Sequence, residues 1–424
     1  MSNDIFLGRQ PILDGYRDTF GYELLYRSGP NSTSFFDDPD DASRTVMERA
    51  LLDWGMERII GDRFGLINAG TSLIKNGIHR GLPPEGIIFE ISVDETFDDS
   101  AVDAIEQARR DGYHFALDNV SALDQLQRSH LLPLVSIVKI EAGRVGTNDL
   151  PALVQYSRQE APGVLMVAEK VETIQTFDAC SLAGFDLFQG YFFAEPEVLG
   201  REARPTGSLS ALKLMAEMQK GDLDINRTTE LVSTDPSLAY RLLSVVNSSA
   251  FGLNRRVESI RHAIVMLGLN QVRHLATLLA LSHNAESNEE LIAMGATRGR
   301  LASQLEDDPS LRDSAFTVGL LSVTDAIFKT PMDELLADLP VSEEISEALI
   351  DGTGPFGRAL RIVKACERSD VEELQELMPN RSEQLLEAYG EAISWANEVR
   401  QQLPTKRSAP KLLPPPNPRE LVHR

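Results

Sequence analysis

The stretches Ile87-Ile88-Phe89-Glu90-Ile91, Phe115-Ala116-Leu117-Asp118 and Ile137-Val138-Lys139-Ile140 are short apolar runs set apart by amphipathic sequence, and they decide the fold. Apolar runs of this length bounded by turn residues read as strands, and the amphipathic stretches between them read as helices. Strands that alternate with helices build a parallel sheet covered on its outside. Working outward, the same reading marks strands at Ile5 to Leu7, Phe20 to Tyr26, Gly65 to Asn68, Leu165 to Ala168 and Asp186 to Phe188. The fold expected for the first half is therefore an α/β barrel of the (β/α) TIM type.

Several runs end on a polar residue: Asn68, Asp118, Glu169 and Gln189. The carboxyl ends of barrel strands converge on one mouth, so residues distant in sequence meet there. Any one of these residues alone reads as a helix cap or a loop residue. Their repetition favours a shared site.

Near Arg201 to Gly207 the apolar pattern lapses, and strand signals then vanish. The expected organisation is a barrel over residues 1–203, an all-α helical domain over 204–402 and a disordered, proline-rich tail over 403–424. Asp235 before Pro236 reads as an N-cap with proline at the first helical position, and Asn270 and Ser342 read as further caps. Leu238, Leu242, Leu243 and Val246 have the spacing of a buried helix face.

Sixty-four acidic against 41 basic residues give a net charge of -23, a field that repels polyanions and argues against general nucleic-acid binding. Cys180 and Cys366 match no metal or redox spacing and read as core thiols, as in a reducing compartment. The N-terminal residues lack the features of a signal peptide, and no apolar run is long enough to span a membrane. The expectation is a cytoplasmic, soluble protein with no membrane association.

Glu23-Leu24-Leu25-Tyr26-Arg27 resembles the Glu-Ala-Leu-x-Arg motif of EAL cyclic-di-GMP phosphodiesterases, with leucine in place of alanine. In the family's order there follow Asn68, Phe89-Glu90-Ile91-Ser92, Ala116-Leu117-Asp118-Asn119, Val138-Lys139-Ile140-Glu141, Ala168-Glu169-Lys170-Val171-Glu172-Thr173 and Gln189-Gly190-Tyr191-Phe192-Phe193. The resemblance implies an EAL-type barrel in which Glu23, Asn68, Glu90 and Asp118 hold Mg or Mn ions. It also implies that Lys139 and Glu169 are the catalytic pair and that Arg27 and Gln189 bind the ligand. Hard oxygen donors suit such ions, which activate water and neutralise phosphate charge.

Three departures weaken the catalytic reading. Asn119 replaces the second of the family's paired aspartates, which leaves the site one negative charge short for a second metal. Val120-Ser121-Ala122-Leu123 replaces a glycine-rich loop, and Val93 replaces the acidic residue that anchors that loop. The plain structural alternative is that Glu23, Asn68, Glu90 and Lys139 form a buried ionic network, since buried charges require partners.

The second half resembles the HDOD domain, a relative of HD metal-dependent phosphohydrolases. Asp235-Pro236-Ser237-Leu238, Leu242 to Gly252 and Ser259 to Gly268 carry the resemblance. Ser322 and Val323 stand where the His-Asp pair of HD enzymes would fall, and valine offers no lone pair to a metal. The break at Gly268 separates His262 from His274. The Asn247 to Gly252 turn reads either as an interaction surface or as a capped helix end.

Together the resemblances imply a degenerate signalling adaptor of the cyclic-di-GMP network. It would contact signalling proteins through its HDOD domain, with cyclic-di-GMP and a second copy of the chain as further partners. A weak metal-dependent phosphodiesterase is the alternative.

Overall fold

The computed structural model describes residues 5–28, 56–95, 97–193, 214–218, 224–248, 251–253, 256–284, 289–337, 339–379 and 382–401. They fall into two compact units that part between Phe192 and Phe193. Residues 194–213, where the sequence places the domain boundary, and the proline-rich tail lie outside the described residues.

Eight strands close into a barrel in sequence order: β1 (Ile5–Asp14), β2 (Thr19–Ser28), β3 (Phe64–Asn68), β4 (Ile87–Ser92), β5 (His114–Val120), β6 (Ile137–Glu141), β7 (Leu165–Glu169) and β8 (Leu187–Gln189). Each expected run overlaps one of them, the last beginning one residue early, since β8 starts at Leu187 rather than Asp186. From β2 to β8 neighbouring strands are parallel, but β1 runs antiparallel to both β2 and β8. The reversal has a local cause. Only four residues join β1 to β2, and a link that short makes a hairpin rather than a crossover. Asp14 closes it, its Oδ1 accepting from the backbone N–H of Tyr16 at 2.8 Å and of Asp18 at 2.9 Å.

One residue from every strand fills the barrel floor: Ile12, Phe20, Leu66, Ile88, Ala116, Ile137, Val167 and Leu187, each fully buried. Side chains two apart on a strand share a face. Two residues beyond six of these floor residues stand Asn68, Glu90, Asp118, Lys139, Glu169 and Gln189. The sequence thus lays an apolar plug under a polar layer at the carboxyl ends of the strands.

Outside the barrel run α1 (Asp99–Arg110), α2 (Leu123–Arg128), α3 (Leu150–Glu160) and α4 (Ile174–Ala183), among shorter helical turns. Asp98 caps α1 by accepting from Ala101 N–H, and Thr173 caps α4 by accepting from Thr176 N–H. Cys180 and Cys366 are both buried free thiols, Cys180 on α4.

The second unit is helical throughout its described residues. It contains α5 (Ile225–Ser233), α6 (Pro236–Val246), α7 (Ile260–Leu267), α8 (Leu269–Asn284), α9 (Glu289–Leu305), α10 (Arg312–Leu321), α11 (Glu343–Ile350), α12 (Gly354–Arg368) and α13 (Ser382–Gln401), with short helices between some of them. Asp235 caps α6 and Ser342 caps α11, as their sequence contexts suggest. Asn270 does not cap: α8 begins at Leu269, and the turn into it is made by Gly268 at φ 89°. On α6, Leu238, Leu242 and Val246 are buried while Leu243 is only half-buried. None of the helices among the described residues is long and apolar enough to cross a membrane.

The α9–α10 contact is set by glycines. A Cβ on Gly319 would lie 2.4 Å from the backbone of Arg298 and Gly299, and one on Gly299 would lie 2.9 Å from the Phe316 carbonyl oxygen. Backbones this close admit no side chain between them.

Candidate functional site

Lys139 is the centre of the polar layer. It is wholly buried, and its Nζ lies 2.9 Å from Glu23 Oε2, 2.6 Å from Glu90 Oε1, 3.4 Å from Asp118 Oδ1 and 3.0 Å from Glu169 Oε1. Glu23 is further held by Gln189, whose Nε2 donates to Oε2 at 2.6 Å, and by Asn68, whose Nδ2 donates to Oε1 at 3.3 Å. Seven residues foreseen from the sequence therefore meet, drawn from strands β2 to β8. The eighth, Arg27, lies on β2 opposite Phe6, and its side chain is outside the described residues.

The sequence reading missed Gln10. Its Oε1 accepts from Gln189 Nε2 at 2.9 Å. Gln10 precedes Ile12 by two residues on the strand that runs backwards, so it enters the polar layer from the amino side of its floor residue. That signal is readable only once the hairpin reverses β1.

Four carboxyl groups face one ammonium, and they do not share it equally. Burial pushes the Glu23 carboxyl up, but the Lys139 charge and the hydrogen bonds from Gln189, Lys139 and Asn68 outweigh it and hold Glu23 below its ordinary range. Glu90 is pushed well above its range by burial and the Glu23 charge, against the pull of Lys139. Glu169 is raised to about 8 by burial and the Asp118 charge. Asp118 is raised as well, by burial first. Burial works against the charge on Lys139, yet Asp118, Glu169, Glu23 and Glu90 together raise it well above the usual lysine range. Glu23 is thus the carboxylate favoured against the Lys139 ammonium, while Glu90 is biased toward its protonated form and Glu169, at about 8, toward holding its proton at neutral pH.

Some oxygens in this layer are unsatisfied. Glu90 Oε2, Asp118 Oδ1 and Gln189 Oε1 are buried and accept no hydrogen bond; Glu90 Oε1, though 2.6 Å from the ammonium, lies off the line of one. Buried acceptors without donors are costly. Among the described residues no group of His, Cys, Asp or Glu stands ready as a metal cage, because the Lys139 ammonium occupies the point on which the carboxylates converge. The donor chemistry nonetheless fits one hard divalent cation: Glu23, Asn68, Glu90 and Asp118 each offer a side-chain oxygen, and Glu90 and Asp118 carry oxygens that accept no hydrogen bond.

The β5 end departs from regular pairing. Its register with β6 shifts between Leu117 and Val120, and Asn119 sits there at φ 61°, a conformation asparagine tolerates better than most residues. The loop that follows is closed by Gln125, whose Oε1 accepts from Ser121 N–H at 2.8 Å and Ala122 N–H at 3.0 Å. The Gln125 amide donates to Asp94 Oδ1 at 3.1 Å. The β4 and β5 loops are therefore tied to each other one residue beyond Val93, whose own N–H donates to the Asp118 carbonyl at 2.9 Å. On the other side, Gly190 holds φ 151°, and a Cβ there would lie 2.0 Å from the Val171 carbonyl oxygen. Glycine is what lets the chain turn immediately after Gln189.

In the helical unit, Ser322 packs against a buried ion pair. Arg298 forks onto Glu367, Nε to Oε1 at 2.9 Å and Nη2 to Oε2 at 2.8 Å, and its Nη1 donates to Ser322 Oγ at 3.1 Å. Asn247 serves structure: its Oδ1 accepts from Val257 N–H at 2.7 Å, and its Nδ2 donates to the Leu243 and Val257 carbonyls at 2.8 Å each. That is the work of a capped helix end. Ser249 and Ala250 of the same turn lie outside the described residues.

Comparison with known proteins agrees with this division. The EAL domain family matches residues 71–196 and the HDOD domain family matches residues 205–325. The EAL match begins after Glu23, Arg27 and Asn68, so β1 to β3 join the barrel on structural grounds. The cyclic di-GMP phosphodiesterase CdgJ of Vibrio cholerae is 30% identical over 370 residues, covering 86% of this chain and 85% of its own. A Bacillus subtilis protein, the uncharacterized protein YuxH, is 28% identical over 405 residues, covering 93% and 98%. Among solved structures, Klebsiella pneumoniae BlrP1 in complex with calcium and cyclic-di-GMP is 20% identical at a TM-score of 0.37, covering 44% of this chain and 54% of its own.

Proposed function

This chain belongs to the family of two-domain proteins that join an EAL domain to an HDOD domain, and from that membership we propose that it is a signalling adaptor of the cyclic-di-GMP network whose barrel has lost efficient hydrolysis. The observation that carries the reading is the polar layer around Lys139, in which Glu23, Glu90, Asp118 and Glu169 are all drawn to one internal cation. A layer whose carboxyl groups converge on one internal ammonium can keep its shape without turnover. Asn119 beside Asp118 is a neutral amide, so the carboxylate count that would hold a second metal is one short.

In this reading Glu23, Asn68, Glu90 and Asp118 would hold a single Mg or Mn ion, which on binding would supply positive charge to a phosphate oxygen and acidify a water. Lys139 keeps the layer together and would hold its ammonium near the reacting water if the site were loaded. Glu169, holding a proton at neutral pH, is a donor rather than a base. Gln189 orients Glu23, and Gln10 orients Gln189. Arg27 would fork onto a ligand phosphate. The HDOD domain passes the state of the barrel to protein partners.

A second reading, a slow phosphodiesterase, is favoured by the orphaned oxygens of Glu90 and Asp118, which a cation would satisfy, and by the relation to CdgJ. Calorimetry and product chromatography on one preparation, with cyclic-di-GMP and Mg or Mn, separate the two. The adaptor reading expects binding without linear dinucleotide, and turnover that appears only on Asn119→Asp. Linear product from the unaltered chain that disappears on Glu23→Ala overturns it in favour of the enzyme.

A further inference from the structure

The helical unit contains a cavity of about 340 Å³ between the start of α8, the start of α10 and the turn into α11, lined by Asn270, Arg273 and His274, by Asp313, Ser314 and Thr317, and by Pro340 to Ser342 with Ile345. Its volume falls in the range of small-molecule sites. We infer that it is a binding site for a small organic oxyanion, of about mononucleotide size, that docks its charge on Arg273.

Arg273 is half-buried and anchored from behind, its Nε donating to the Met218 carbonyl at 2.7 Å. That bond anchors the guanidinium through Nε and, among the described residues, leaves both Nη groups uncommitted. Among the described residues no carboxylate lies within ion-pair distance of it. The guanidinium is partly desolvated, and the one carboxylate among the cavity's lining residues, Asp313, makes no ion pair with it, so its outer donors remain available to a ligand oxyanion. Burial already depresses the Arg273 pKa, with Asp313 opposing from a distance.

The remaining walls say what else the ligand carries. Asp313 is engaged by the Asn270 amide, whose Nδ2 donates to its Oδ2, and Thr317 Oγ1 donates to the Asp313 carbonyl at 3.0 Å. Asp313 therefore remains an acceptor and disfavours a bare anion, so the ligand needs a hydrogen-bond donor away from its charge. Ser314 supplies a hydroxyl with no partner among the described residues. His274 lies flat on Phe316, ring centroids 4.1 Å apart, and burial together with the Arg273 charge pushes its imidazole down to about 3. It stays neutral and adds a polar edge without adding charge.

The full chain would be tested by hydrogen exchange and calorimetry with three probes: inorganic phosphate, citrate and guanosine monophosphate. Phosphate tests the bare anion, citrate a carboxylate with a hydroxyl, and the nucleotide a phosphate with several donors. The expected result is protection of α8 and α10 by citrate or the nucleotide, stronger than by phosphate, with affinity falling about ten- to a hundredfold on Arg273→Gln and less on Arg273→Lys. Unaltered exchange in the other helices of Arg273→Gln shows that the variant folds. Protection confined to the barrel strands, protection that survives Arg273→Gln, or no protection of α8 and α10 by any of the three probes overturns the inference.

Discussion

Replacing Lys139 with methionine removes, among the described residues, the one cation within 4 Å of Glu23, Glu90, Asp118 and Glu169 while keeping the side-chain volume close. A unit charge pair at 3 Å is worth about 5 kcal/mol at the effective dielectric that suits protein interiors. The four contacts do not add to four times that, because the carboxyl groups do not carry charge equally: Glu23 is held below its ordinary range, while Glu90 is raised well above it and Glu169 to about 8. Leaving one buried charge uncompensated costs about 3–5 kcal/mol. A loss of that size is a large share of a typical domain stability of about 5–15 kcal/mol, so the barrel should survive, weakened. The pH dependence has a defined sign. Glu169 has a folded pKa of about 8 against an ordinary 4.5, so between those values the folded state binds more protons than the unfolded one and stability falls as pH rises. Without Lys139 the carboxyl pKa values climb further, so the variant falls more steeply across the same window. Hydrogen exchange of β4, β6 and β7 at about pH 5 and about pH 8 measures this, the helical unit serving as internal control. The gap between the unaltered chain and Lys139→Met should widen by several-fold in protection toward pH 8. Equal protection at both pH values would refute Lys139 as the counter-charge of the layer.

Three further outcomes follow from the same geometry. Gly190→Ala places a Cβ 2.0 Å from the Val171 carbonyl at a φ of 151°, so it should cost about 2–3 kcal/mol and displace Gln189; an unchanged melting temperature and unchanged nucleotide affinity would count against the role given to this turn. Arg298→Met should destabilise the helical unit by about 3–5 kcal/mol by stranding Glu367, and Arg298→Met with Glu367→Leu should recover much of it; a denaturant double-mutant cycle without coupling would show the pair to be inert. Binding of Mg or Mn in the barrel should release protons and tighten as pH rises, since the raised Glu90 and Asp118 must deprotonate to become ligands; calorimetry in buffers of different ionisation enthalpy would expose a proton-neutral event.

The barrel was legible because its chemistry obeys a two-residue rhythm. Ile88 and Glu90, Ala116 and Asp118, Ile137 and Lys139, and Val167 and Glu169 each put an apolar side chain on the floor and a polar one directly above it, so local alternation alone carries the polar residue to the mouth. What escaped is what alternation cannot encode. Gln10 faces the layer only because the β1–β2 hairpin reverses its strand, a fact of pairing rather than of pattern. The link from Asp94 to Gln125 was invisible for the same reason: the two residues are 31 apart and meet only when β4 and β5 pair in register. In the helical unit, Arg298 and Glu367 are 69 residues apart, on helices that the sequence marks only as amphipathic, and they meet only in the packed unit. Loss of the His-Asp pair at Ser322 and Val323 was plain in the sequence, but the guanidinium beside Ser322 was not. A missing ligand can be read from one position, whereas its replacement has to be found in space. The same holds for Asn119: its neutral amide is evident in the chain, but its weight depends on how many carboxylates Lys139 already holds, and that number comes only from the folded barrel.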